Sequence, residues 1–169
     1  TLIATNGLAH GWNSRSMPCE ICRKGTYLEA VVGTALTYPS CVECPAGYYL
    51  NQEGKTSLLF CKSCTAVGTF SEKGSSFCST CPGGYYSTEQ SASFCTSCES
   101  GTYNDDRGDD VNRHNAQEDC KQCEYGKVSI AGGTYCFLCP IGWAVYHDTA
   151  TKQADCQICR AGSRSTTQN

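Results

Sequence analysis

The chain of 169 residues is short of several things, and each shortage removes a class of protein. Leu, Ile, Val and Phe together supply only about 15% of the residues, too few for an ordinary apolar core. Charge is not in excess: 13 basic and 16 acidic residues leave a net charge of −3, so self-repulsion does not explain the thin core. The same balance offers no basic face for nucleic acid or an anionic membrane, so no nucleic-acid partner is expected. No run reaches the roughly 18 apolar residues that a spanning helix needs. With no basic-then-apolar leader at its start, the chain reads as a mature protein or a fragment. The chain also has no Asn-x-Ser/Thr sequon, since Asn6-Gly7-Leu8 and Asn13-Ser14-Arg15 both fail at the third position. Abundant Ser and Thr leave O-glycans as the sugar modification open to it.

Cysteine is what the chain has instead, with 16 residues, a density found in secreted scaffolds ordered by covalent links. Thiols stay reduced in a cytosol, so the count points to an oxidising, extracellular or cell-surface setting. All sixteen fall in eight C-x-x-C pairs: Cys19/Cys22, Cys41/Cys44, Cys61/Cys64, Cys78/Cys81, Cys95/Cys98, Cys120/Cys123, Cys136/Cys139 and Cys156/Cys159. Seven pairs carry glycine three residues after the second cysteine, at Gly25, Gly47, Gly84, Gly101, Gly126, Gly142 and Gly162, and Gly68 sits one residue later. A glycine at a fixed offset predicts a turn that needs positive φ. Pro45, Pro82 and Pro140 directly follow a second cysteine and stiffen that turn. An aromatic usually follows the glycine (Tyr27, Tyr49, Phe70, Tyr86, Tyr103), and another precedes a first cysteine at Phe60, Phe77, Phe94 and Tyr135. The unit predicts a short two-stranded ribbon, with aromatics stacked against disulfides as its core.

Spacing alone also admits zinc, because C-x2-C-x15–20-C-x2-C is a four-cysteine metal signature. The gaps between pairs are 18, 16, 13, 13, 21, 12 and 16 residues, and four of them lie outside that window. The glycine comes three residues past the second cysteine rather than directly after it, and the basic face common in zinc modules that bind nucleic acid is missing. A redox reading needs one reactive pair in a βαβ setting, whereas eight equivalent pairs read as a framework.

The pattern C-x-x-C-x-x-G-x-Y followed by C-x-x-C-P-x-G-Y-Y resembles the cysteine-rich repeats of ephrin-receptor ectodomains, over about residues 19–162. Related patterns occur in tumour-necrosis-factor receptors and growth-factor-receptor cysteine-rich regions. The resemblance implies a small, disulfide-rich, β-poor fold: an elongated tandem array of modules with short two-stranded ribbons and no large hydrophobic core. It also implies a 1–3, 2–4 bridge pattern, in one of two registers. Both registers share Cys22–Cys44, Cys64–Cys81, Cys98–Cys123 and Cys139–Cys159, and they differ over Cys19, Cys41, Cys61, Cys78, Cys95, Cys120, Cys136 and Cys156. A serial pattern, Cys22–Cys41 and then Cys44–Cys61, is the third option.

The array proper would run from 19 to 159. Residues 1–18 form an extension that could serve as an assembly strand or a tail, and 160–169 look like the start of an interrupted repeat or a tail. The longest gap holds Asn104-Asp105-Asp106-Arg107-Gly108-Asp109-Asp110. Within it, Arg107, Gly108 and Asp109 form the tripeptide read by integrins, a candidate adhesion loop. Asp105, Asp106, Asp109 and Asp110 form a candidate calcium cluster, although the run lacks the spacing and closing Glu of a recognised calcium loop. A solvated insertion is the plain alternative. His10, His114 and His147 fall in unrelated repeats and read as surface histidines, so no catalytic set is expected and no cofactor is required. Two functions follow: a structural subunit of an extracellular filament, coat or matrix that binds copies of itself head-to-tail, or a spacer or ligand-binding arm of a receptor or adhesion ectodomain that meets other extracellular proteins.

Overall fold

The computed structural model describes residues 20–29, 40–147 and 154–164. Cys19, His10, the 1–18 extension and residues 165–169 lie outside the described residues.

Each C-x-x-C pair enters a turn in which the glycine has φ between 79° and 87°. The amide of the following residue reaches back three positions, as Tyr48 N–H does to Pro45 O (3.1 Å) and Tyr85 N–H to Pro82 O (3.0 Å). Positive φ at the third residue of such a turn is the type II geometry. The chain then runs out as one strand and returns as another. The paired strands are β1 (Thr26–Glu29) with β2 (Ser40–Glu43), β3 (Tyr48–Tyr49) with β4 (Lys62–Ser63), β5 (Thr69–Phe70) with β6 (Ser79–Thr80), and β7 (Tyr85–Tyr86) with β8 (Thr96–Ser97). They continue with β9 (Thr102–Tyr103) and β10 (Lys121–Gln122), β11 (Lys127–Val128) and β12 (Phe137–Leu138), and β13 (Trp143–His147) and β14 (Ala154–Ile158). All seven ribbons are antiparallel. Among the described residues there is no α-helix, only three short 3-10 turns. The gaps leave room for little more.

One disulfide closes each ribbon: Cys22–Cys41, Cys44–Cys61, Cys64–Cys78, Cys81–Cys95, Cys98–Cys120, Cys123–Cys136 and Cys139–Cys156, with Cα separations of 5.4–5.8 Å. The bridges are serial. This corrects Cys22–Cys44, Cys64–Cys81, Cys98–Cys123 and Cys139–Cys159, none of which forms, and Cys159 keeps a free thiol. The reason lies in the strand. The two cysteines of a pair are three residues apart along extended backbone, and an odd offset sends their side chains to opposite faces. The first therefore closes the ribbon it ends, and the second opens the next one. Backbone pairing sets the second in place, since Cys44, Cys64, Cys81, Cys98, Cys123 and Cys159 donate from their amides to Gly25, Gly47, Gly68, Gly84, Gly101 and Gly142 O (2.8–3.0 Å).

The core is mostly sulfur. Cys22, Cys44, Cys64, Cys81, Cys98 and Cys139 are buried, and Tyr27, Cys44 and Leu50 form one small cluster with Val42 and Cys61 against it. The expected stack of aromatics is only partly there. Phe77, Phe94 and Tyr135 are 64%, 72% and 68% exposed, and Phe60 is also exposed. Each directly precedes a half-buried, bridged cysteine, and the alternation of an extended chain turns it away from that bridge.

Candidate functional site

Modules are joined by a repeating backbone ladder whose rungs sit three residues past the turn glycine. Gly25, Gly47, Gly68, Gly84 and Gly101 donate to the carbonyls of Leu50, Ser71, Ser87, Asn104 and Ser129 in the next module (2.8–3.0 Å). The amides of Leu50, Ser71, Ser87 and Asn104 donate onward to Ser75, Ala92, His114 and Gly133 O in the module after (2.9–3.2 Å). All five rung residues are buried. Two of their hydroxyls add to the ladder, Ser71 Oγ to Tyr48 O (3.1 Å) and Ser129 Oγ to Thr102 O (2.6 Å). A short polar side chain fits this place because it finds a carbonyl within reach and so satisfies its own buried group. Ser or Asn recurs at this offset in four of the five rungs, with Leu50 the exception, and that recurrence is a signal the sequence carries.

The turn glycines also face backbone two modules on. A Cβ on Gly25 would run into the carbonyl of Gly74, on Gly47 into that of Ser91, and on Gly84 into that of Gly132. Positive φ and close approach together require glycine there.

The insertion between Cys98 and Cys120 replaces a minimal hairpin loop with a polar knot. Asn104, Asp106 and His114 are all buried. Asp106 Oδ1 accepts from the amides of Gly108 (3.0 Å), Asp109 (2.9 Å) and Asp110 (3.3 Å) and meets His114 Nε2 at 3.0 Å. Its second oxygen accepts from Arg113 Nη1 at 3.1 Å. The hydrogen bond to His114 and the three amides hold the Asp106 carboxyl well below the usual carboxylate range, against the opposing effect of burial. His114 Nδ1 lies 2.7 Å from Tyr85 O, so both ring nitrogens face oxygen acceptors. Asn104 completes the knot, donating to Arg113 O (2.6 Å) and accepting from the Asp106 amide (3.1 Å).

His114 is thus a fully buried brace between modules, not a surface histidine. Its ring packs where its neighbours supply acceptors, a partnership made by tertiary structure and invisible in spacing. His147 ends β13, far along the chain from it. Asp105 pairs with Lys121 (2.8 Å) and Arg113 (2.7 Å), and the Lys121 hydrogen bond is the leading cause that lowers its carboxyl. Asp110 caps the following turn by accepting from Asn112 N (3.0 Å). Of the four acids in the run, three therefore have partners. Arg107 and Asp109 are exposed on either side of Gly108 (φ 94°).

With its polar atoms taken up internally, the Asp106–His114 pair holds the loop. Among the described residues no group of three His, Cys, Asp or Glu is placed to share a metal ion. No helix among them is long and apolar enough to cross a membrane.

A family model described as tyrosine-protein kinase ephrin type A/B receptor-like matches residues 68–110. The matched stretch runs from the turn glycine Gly68 through the next two ribbons and into the acidic insertion, and it covers less than half of the chain. No curated protein matches the chain. The repeats are similar to ephrin-receptor-like cysteine-rich repeats, and their bridges are those of an oxidising environment.

Proposed function

We propose that the chain is a spacer or ligand-presenting arm of an extracellular, cell-surface receptor or adhesion ectodomain, with a mechanical and binding role rather than a catalytic one. The observation that carries the reading is the serial spine. Every described ribbon is closed by its own bridge, and the first five are tied to the next by backbone rungs, so the modules are held in series without a large core. The receptor-like match at residues 68–110 supports the same class, and protein partners outside the cell fit it.

The self-assembling filament would depend on residues 1–18 and 160–169, most of which lie outside the described residues, and the family match supports the spacer instead. Sedimentation of the oxidised, purified chain separates the two readings. The spacer predicts an elongated monomer with a frictional ratio that does not change with concentration. Concentration-dependent growth into polymers would reject the spacer in favour of the filament.

A further inference from the structure

We infer that the tip of the insertion, Arg107-Gly108-Asp109, is a cell-adhesion ligand held in its binding shape by the Asp106 knot. The partner is a receptor that takes a carboxylate on a divalent cation of its own and a guanidinium in an acidic pocket. The inference deepens the reading above by naming the surface that such an arm would present.

Three observations lead to it. Among the charged side chains from Asp105 to Asp110, those of Arg107 and Asp109 make no hydrogen bond or ion pair among the described residues, while Asp105, Asp106 and Asp110 are engaged. The tip therefore offers one cation and one anion, two residues apart, to solvent. Secondly, the backbone between them is fixed from below. Asp106 Oδ1 gathers the amides of Gly108, Asp109 and Asp110, and Asp106 is itself anchored by Arg113 and the buried His114. A loop ordered before binding loses less conformational freedom when it docks. Thirdly, Gly108 has φ 94°, a conformation that side chains rarely adopt, and a Cβ there would stand a tight 3.1 Å from Cys81 O, so backbone and neighbouring module both favour glycine. The loop is thus constrained where the tripeptide needs a small residue, and its two charged residues are free.

The test uses the whole oxidised chain on a biosensor surface against a purified integrin ectodomain that reads Arg-Gly-Asp, in manganese. The expected result is saturable binding that EDTA abolishes. Asp109→Glu, which keeps charge on an exposed and unpartnered side chain, should weaken binding about thirty-fold or more, the loss typical of a central charged contact. The variant's near-ultraviolet circular dichroism should match the parent, which separates a lost contact from a lost fold. A linear peptide of residues 105–110 should bind more weakly than the chain. Absence of binding by the parent, equal binding by Asp109→Glu, or a linear peptide as tight as the chain would each overturn the inference. None of these would alter the sedimentation result, so the spacer reading stands or falls separately.

Discussion

Gly84 and Gly126 occupy the same turn with nearly the same backbone, φ 79° and 83°, yet they live in different surroundings. Gly84 faces the backbone of Gly132 two modules on, whereas a Cβ on Gly126 would meet nothing within 4 Å among the described residues. The same contrast holds for their amides: Gly84 donates to Asn104 O, a rung of the ladder that runs from Gly25 to Gly101. A repeat array is thus two things at once. Local chemistry makes each ribbon, and contact with later modules locks it, so equivalent positions differ in consequence according to their place in the array.

The largest effect should come from removing an interior bridge. Replacing Cys81 and Cys95 together by serine opens a ribbon that carries rungs on both sides, and loss of such a bridge typically costs about 2–5 kcal/mol. Denaturant titration should show a lower midpoint than the parent. Equal stability would mean that the rungs alone hold the interior modules. Next, Gly84→Ala should be far more disruptive than Gly126→Ala. The second meets only the backbone penalty of positive φ, about 1–3 kcal/mol, whereas the first adds a clash with the Gly132 backbone. Matching losses at the two sites would show that contact between modules contributes nothing to the demand for glycine.

Asn104→Ala tests the polar knot within the interior region. It removes the donor to Arg113 O and the acceptor for the Asp106 amide at a fully buried site, with an expected loss of about 1–3 kcal/mol. The insertion should also respond to acid. The folded-state Asp106 carboxyl is lowered, so its contribution is fully present above the unfolded value of about 3.9 and fades as pH falls below it toward the folded value. The Asp106 side-chain carboxyl carbon in NMR should keep its carboxylate shift down to about pH 4 and change only below it. A carboxyl that titrates at or above the ordinary value of about 3.9 would contradict the assignment. The smallest effect belongs to the exposed Glu124–Lys127 pair, where Lys127→Met should leave the melting temperature unchanged.

Much of this was legible in the cysteine spacing and little of it in composition. Paired cysteines, the glycine three residues on and the short polar gaps foretell ribbons on type II turns, because those features depend on backbone conformation within a few residues. The partner of each cysteine does not follow from spacing. It depends on which face an extended strand presents, and the resemblance to receptor repeats pointed to Cys22–Cys44 where the strand delivers Cys22–Cys41. The aromatics before each first cysteine were misplaced for the same reason, one residue's alternation putting Phe94 outside. His114 was beyond reach, since its acceptors come from Tyr85 in one module and Asp106 in its own loop. Spacing shows neighbours in sequence, and these meet only through the fold.

The account rests on the direction of the bridges, and non-reducing peptide mapping of the native chain tests it directly. Proteolysis followed by mass spectrometry should recover Cys44 linked to Cys61, Cys64 to Cys78 and Cys81 to Cys95. Recovery of Cys22 linked to Cys44, or of Cys64 linked to Cys81, would contradict the serial spine and with it the ladder built upon it.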